Sequence, residues 1–536
     1  MYYECDLDLK TNGDKIKGLG SKNSRDRLMM QLEHIDLPII KQQIEIMNKP
    51  YEEKKAGRPA YHRGMVLVLA LFFKSKHIHS YDKMAIECKD NVVLLEFTGE
   101  KTPGADVFRR FFRDTDKMLF KKIFFGGLAR LNDYEFLSFD RVFLDGTDAI
   151  VNASLNNTIN KKQIEALRLL KEWRLLHNGK PAAIKQTIKN LEEKKEEYSN
   201  DAETLKLIKI ALRKPRIYTH KNFEKIPQFL EAMEKNDTDS VPISFPESRI
   251  MKSKRGRMDA ALNYQILMLE KHIALSGYLL GDANDSDAIR KVFVELNEDL
   301  ELFVEIIKEF GEYTDNIDEI ENLLKDIQIF CDSGYHSFKN IKASIDLGLI
   351  LIFMTKQIAR QNNKSKRKDL REILSEVKNN KEIDFTKKDC LRLENAYKCP
   401  FNRLIQLNKI RLLNNKNNKD HTLPPELLEY EFTHSCVDCS DCPYVETYGK
   451  KCKCATIIDK TTPYEYFLTN SFVTGEYDSD YKDRFPIGER VNAFIKGIEG
   501  MLYLTGRDLQ GVENEQLLIL SIQNFTIFKG LLASEQ

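Results

Sequence analysis

A chain of 536 residues that is 31% charged and 42% hydrophobic has the composition of a water-soluble globular protein, and its formal net charge of +1 lacks the overall basic footprint of a small nucleic-acid-binding domain. The longest purely apolar run, Met65 to Phe73, falls well short of the roughly 20 residues that a membrane span needs, and the N-terminus has no basic start followed by an apolar stretch, so the expectation is a cytoplasmic protein without a membrane partner. The ten cysteines then read as reduced thiols or metal ligands, not as a disulfide framework.

Residues 1–20 read as a loose arm, and residues 21–135 as a run of helices. The last of these, ADVFRRFFR, follows the breaker Thr102-Pro103-Gly104 and carries Arg109, Arg110 and Arg113 on or near one side. Such a set suits a helix-turn-helix-like DNA reader or a plain helical bundle. At Leu137 the character changes: FLSFDRVFLDGTDAIVNAS holds two short β-prone runs, with Asp145 and Gly146 closing the apolar VFL. Residues 156–244 are helical and charge-rich, include Trp173, and read as an inserted spacer or partner-binding arm.

Strand character returns in DAALNYQILMLEKHIALSGYLLGDAND, a hairpin of two long strands, after which Asp285 and Ser286 cap a helix through AIRKVFVELNEDLELFVEII. Asn263, Gln265 and Asp285 are assigned structural roles. The strand IQIFC then carries Asp332, and a helix near FKNIKASIDLG with the buried strand LILIFM completes a βαβ step. Residues 356–464 lose regularity. They begin with a basic patch from Lys356 and Arg360 to Arg371 and end in a cysteine cluster; this patch and a separate one at Lys252, Lys254, Arg255 and Arg257 read as DNA phosphate contacts or as solvated charge runs. Pro486 and Gly488 announce a final helix from Glu489, and the apolar ILSIQNFTIFKGLL closes the core. One α/β domain is therefore expected from 136–155, 245–355 and 465–536. Its order of strand, hairpin, helix, strand, helix, strand is that of an RNase H-like sheet.

On the last helix Glu489, Asn492 and Lys496 form a narrow polar stripe opposite Val491, Phe494, Ile495 and Ile498. Two aspartates at strand ends and one helical glutamate, Asp145, Asp332 and Glu489, make a hard oxygen donor set suited to Mg²⁺, with Mn²⁺ as substitute. Two such ions about 4 Å apart can cleave a phosphodiester without a protein nucleophile. Glu499 is the rival for the third position, about 80° off the Glu489 stripe. Cys436, Cys439, Cys442, Cys452 and Cys454 offer soft ligands for a separate structural Zn²⁺, or form a reduced cysteine-rich loop, with Cys390 and Cys399 outside the cluster.

These pieces together, GRPAYH at 57–62, TPGADVFRRFFR at 102–113, FLDGT around Asp145, LNYQ at 262–265, DSGY at 332–335 and YKDRFPIGERVNAFIK at 481–496, resemble bacterial insertion-sequence transposases of the DDE class with an InsH-like N-terminal domain and a split RNase H-like catalytic domain. The resemblance covers nearly the whole chain. It implies recognition of double-stranded element ends by the N-terminal part, Mg²⁺-dependent cutting and strand transfer by Asp145, Asp332 and Glu489, and a homodimer on paired ends in the nucleoid. It also implies DNA contacts near the scissile phosphate from Tyr481, Arg484 and Lys496. Four residues separate Arg484 from Glu489 where the related signature usually has three. The alternatives are a catalytically decayed DNA-binding protein and a metal-dependent nuclease that cuts without joining.

Overall fold

The computed structural model describes residues 2–3, 5–52, 59–252, 256, 258–281, 285–325, 327–355, 358–359, 390–399, 403–413, 427–434, 456–497, 503–506 and 508–535, with backbone alone described at 2, 413, 427, 434, 478, 485, 489, 492, 494–497 and 503. The fold is mixed α/β. Its central strand, β1 (Arg141–Val151), is one continuous strand, not two short runs. It is paired on both edges. The antiparallel neighbour β2 (Met258–Met268) runs from Phe143↔Met268 to Ile150↔Ala261, and β2 forms the expected hairpin with β3 (Ala274–Leu280). Lys271 and His272, both at positive φ, turn that hairpin. A helix α1 (Ala288–Phe310) leads to β4 (Gln328–Cys331), which pairs in parallel with β1 from Arg141↔Gln328 to Leu144↔Cys331. Then α2 (Phe338–Leu347), ended by Gly348 at φ 71°, leads to β5 (Ile350–Phe353), parallel to β4.

These five strands lie in the order β5-β4-β1-β2-β3, with β2 alone running against the others. Short strands at Arg249–Lys252, on β2, and Tyr503–Leu504, on β1, bring the sheet to seven. Helices cover both faces, so the strands read as near-continuous apolar runs: Val142, Phe143, Leu144, Ile329, Phe330 and Cys331 are all fully buried.

Helix α3 (Asp478–Gly497) packs on β1 and β4, and helix α4 (Leu509–Glu535) packs on β3 and on the N-terminal helices Arg63–Ser75, Ala105–Asp114 and Lys117–Asp133. The expected start of α3 near Glu489 is corrected. It begins at Asp478 and passes through Pro486, whose ring removes one helical hydrogen bond without ending the helix. Ion pairs from Arg141 to Asp480 and Asp483, each 3.0 Å, hold the first turns in place.

The helices from Lys22 to Asp133 share one continuous hydrophobic core with the sheet and α4. By length and composition α4 could cross a membrane, but here it is a core helix. Two of its buried amides reach distant backbone: Asn524 bonds both backbone groups of Ala274 at 2.8 Å, and Asn514 reaches the carbonyls of Phe112 and Thr115, each at 2.8 Å. Glu515 is fully buried. It pairs with the buried Lys74 ammonium at 3.4 Å, accepts from Thr505 N–H at 3.0 Å, and takes the Tyr81 hydroxyl. Burial pulls Lys74 below its usual range and Glu515 opposes that pull.

Residues 158–243 carry a core of their own, from Ile159 through Leu167, Leu191, Ile208 and Phe229 to Val241. Two short antiparallel strands, Thr158–Asn160 and Ser240–Pro242, close its neck. Residues 391–461 contain a five-stranded antiparallel sheet where irregular chain was expected. Its longest strand, Leu404–Leu413, has a bulge between Leu407 and Lys409 that breaks the polar/apolar alternation along the chain.

Replacing Glu515 by Ala leaves a buried ammonium without its counter-charge, which should lower stability by about 3–5 kcal/mol. Urea unfolding of the two chains measures it. A difference near zero would mean that the pair does not anchor α4 to the N-terminal helices.

Candidate active site

The site is set by strand register. Leu144 and Cys331 are the last pair of the β1–β4 ladder, so the next residues, Asp145 and Asp332, stand abreast on strands about 4.8 Å apart. Asp145 does not end its strand, as the sequence suggested: β1 continues on β2 beyond the point where β4 stops. Asp332 leaves the ladder as the cap of a short turn, its Oδ1 accepting the Gly334 N–H at 2.6 Å. The Asp145 Oδ1 accepts the Gly146 N–H at 3.0 Å. Burial first, and then the charges of Asp332, Asp285 and Asp145, hold the adjoining Cys331 thiol well above its ordinary range, while Arg484 pulls the other way.

Helix α3 runs beside β1. Asp480 lies at Arg141 and Gly488 at Asp145, and eight helical residues cover about 12 Å where four strand residues cover about 13 Å. The approach at Gly488 is close: a Cβ there would stand 3.4 Å from Asp145 Oδ2. Glu489 follows directly in the helix. Its side chain and that of Lys496 lie outside the described residues, as do Glu499 and Cys436, Cys439, Cys442, Cys452 and Cys454. The same holds for Gly57, Arg58, Lys254, Arg255, Arg257, Lys356 and the basic residues 360–371.

The Tyr481 hydroxyl donates to the Cys331 carbonyl at 3.1 Å and accepts the Met354 N–H at 3.3 Å, fastening α3 over the ends of β4 and β5. Arg484 lies with its guanidinium 5.4 Å from the Tyr481 ring centre, and its buried Nε has no hydrogen-bond partner among the described residues. Its charge is felt at Cys331, the residue before Asp332.

Arg109 and Arg113 of Ala105–Asp114 line a different groove. Arg109 pairs with Asp106, Arg110 Nε donates to the Asp106 carbonyl at 3.2 Å, and Arg113 pairs with Asp114 at 2.6 Å. Arg109 and Arg113 face Lys221 and Lys225 of the insertion across a space of about 540 Å³.

One residue set aside in the sequence enters the carboxylate site. Asp285 does not cap α1, which begins at Ala288 after Asp287. Its Oδ1 accepts from Gln265 Nε2 at 2.7 Å and Asn263 Nδ2 at 3.0 Å. The available signal was Asn263 and Gln265 themselves, two polar residues on one face of an otherwise apolar strand.

Among the described residues, no three His, Cys, Asp or Glu side chains converge to hold a metal ion. The donor chemistry nonetheless fits Mg²⁺: Asp145 and Asp332 supply hard carboxylate oxygens side by side, and the helix bearing Glu489 lies against the first of them.

Residues 21–114, the helices from Lys22 to Asp114, match the family model described as a transposase domain, DUF772. Over that segment the chain is similar to a transposase domain. The match supports an insertion-sequence transposase with DNA as its partner, and the transposase domain includes Arg109, Arg110 and Arg113. No curated protein and no solved structure matches the chain.

Two outcomes follow from the packing around the site. An alanine Cβ at Gly146 would meet Asp285 Oδ1 at 2.6 Å and Gln265 Nε2 at 2.7 Å, so Gly146→Ala should destabilise by about 1–3 kcal/mol in thermal or urea unfolding. An unchanged midpoint would mean that these polar groups move aside freely.

The second concerns pH. His336 and the Thr462 N–H bond the Glu465 carboxylate; burial pushes its pKa up, but these bonds outweigh burial and hold it at about 2, against an ordinary 4.5. A depressed folded-state value gives stability that is present above about pH 4.5 and lost as pH falls toward 2. Glu465→Gln should therefore be less stable than the natural chain at pH 7, with the gap narrowing in thermal melts as pH falls from about 4.5 toward 2. A gap independent of pH would remove the carboxylate as its cause.

Proposed function

We propose that the chain is a DDE transposase that binds the ends of an insertion element, cuts them with divalent metal ions and joins them to target DNA. The observation that carries this reading is the register that sets Asp145 beside Asp332 with the Gly488–Glu489 segment of α3 against Asp145. The sheet order β5-β4-β1-β2-β3 with β2 reversed supports an RNase H-like core.

Asp145, Asp332 and Glu489 would hold Mg²⁺, or Mn²⁺ in its place, which when bound activates the attacking oxygen and stabilises the leaving one. Asp145, flanked by Asp332 on one side and α3 on the other, would be the central carboxylate of that set. The chain's own residues then orient the DNA. Arg484, whose buried Nε lacks a partner among the described residues, would take a non-bridging phosphate oxygen, and Lys496 would neutralise a neighbouring phosphate. Tyr481 would offer the DNA its ring, since its hydroxyl is engaged with Cys331 and Met354. In cutting, a water oxygen bonds to phosphorus as the bond to the 3′ oxygen breaks, leaving a free 3′-hydroxyl. In joining, that hydroxyl attacks a target phosphodiester and displaces a second 3′ oxygen.

Arg109, Arg110 and Arg113 would contribute phosphate contacts from the transposase domain, and a homodimer would bring two ends together. In this reading the cysteine cluster holds a structural Zn²⁺ apart from catalysis, and the protein works on the nucleoid.

The test is cleavage of DNA carrying the element's own ends in Mg²⁺, comparing the natural chain with Asp332→Ala on a strand-resolving gel. Cutting at the element boundary should disappear in the variant while end binding persists. End binding by the natural chain without cutting would instead mark a catalytically decayed DNA-binding protein.

A further inference from the structure

We propose that Asp285 is a positioning residue of the carboxylate site, a wedge between Gly146 of β1 and the turn that follows Asp332, which fixes the spacing of Asp145 and Asp332 and adds its charge to their field for divalent cations. The inference rests on the metal-dependent reading above.

Two observations place it there. The space over Gly146, the residue after Asp145, is filled by Asp285 Oδ1, 2.6 Å from where a Cβ would stand. The space over Gly334, two residues after Asp332, faces Asp285 Oδ2 at 3.4 Å and Asp332 Oδ1 at 2.7 Å. A side chain at Gly146 would push the Asp285 carboxylate out, and one at Gly334 would meet Asp332 Oδ1 first with Asp285 in contact behind it, so Asp285 fills the space between the two segments.

Asp285 is also held from two directions. In front, Gln265 Nε2 and Asn263 Nδ2 both donate to Oδ1, and Gln265 is itself fixed by the Tyr335 hydroxyl and by a 2.8 Å bond to Asn263 Oδ1. Behind, Asn340 Nδ2 donates to the Asp285 carbonyl at 2.6 Å and to the Tyr335 carbonyl at 3.0 Å. Gln265, Asn340 and Tyr335 are fully buried, so the hold is rigid. Tyr335 also belongs to the turn that Asp332 caps, which links Asp285 to Asp332 through one tyrosine.

Charge argues for a role beyond shape. No cation pairs with Asp285 among the described residues, although it stands close to Asp145 and Asp332. A fixed carboxylate beside two others is unfavourable unless something positive comes to the site, and Arg484 is one charge against three. An asparagine at 285 could keep the hydrogen bonds to both amides, so shape alone does not call for an acid.

The experiment is Mn²⁺ titration calorimetry on the full chain without DNA, using the natural protein, Asp285→Asn, Asn263→Ala and Asp332→Ala, beside melting curves and metal-free end binding. Asp285→Asn should weaken Mn²⁺ binding by about 10- to 100-fold with melting and end binding unchanged, and the Mn²⁺ midpoint for end cleavage should rise by the same factor. Asn263→Ala keeps the charge but loosens it, and should shift Mn²⁺ affinity less, in the same direction. Natural affinity in Asp285→Asn would overturn the proposal. If that variant does not fold, natural affinity in Asn263→Ala would do so. Absence of saturable Mn²⁺ binding in the natural chain, with Asp332→Ala giving the same trace, would sink the metal-dependent reading itself, and this inference with it.

Discussion

The pairing of β1 on both of its edges is the constraint on which everything else depends. Antiparallel contact with β2 and parallel contact with β4 set the register of three strands at once, and that register decides which residues emerge where the β4 ladder ends. Side chains alternate across a sheet, so a slip of one residue would turn Asp145 to the opposite face and leave Leu144 or Gly146 beside Asp332. The apolar run Val142 to Leu144 guards against such a slip, because both sheet faces are covered and each residue fits its own packed environment. Chemistry at the tip of β4 is thus inherited from hydrophobic packing further down the strands.

Two sets of charged contacts then settle what lies on the sheet. Arg141, at the start of β1, takes Asp480, Asp483 and Glu270, so the strand that offers Asp145 also orients the helix that carries Glu489. Lys74 and Glu515 do the corresponding work on α4, in a fully buried setting. A buried pair of this kind gives little net stability over apolar residues of the same size, but a misdocked helix would leave either charge stranded, which makes the arrangement selective.

Much of this was legible in the chain. The strand, hairpin, helix, strand, helix, strand order came from local periodicity, because the core strands are short apolar runs bounded by turns. The side-by-side placement of Asp145 and Asp332 followed from assuming that the two apolar strands pair. What could not be read depended on contacts distant in sequence. Pro486 signalled a helix start because proline usually does, yet Arg141 and the Tyr481 bonds to Cys331 and Met354 sustain the turns before it. Asp285 looked like a helix cap because its real partners, Asn263 and Gln265, sit on another strand. The bulge between Leu407 and Lys409 hid a long strand by breaking its alternation. Asn514, Glu515 and Asn524 could not be matched in advance to backbone groups they meet only after folding.

Helix α4 bears on the order of assembly. It fills the space between the sheet and helices encoded some four hundred residues earlier, so contacts such as Lys74 to Glu515 close one of the longest loops the chain can make. At ribosomal rates of about 5–20 residues per second, the early helices wait tens of seconds before their covering helix exists. During that wait Phe112 and Phe120, buried in the finished core, would lack part of their cover. The nascent chain therefore has reason to engage a chaperone, and a message truncated before codon 509 should yield insoluble product even though every residue of the carboxylate site has been made.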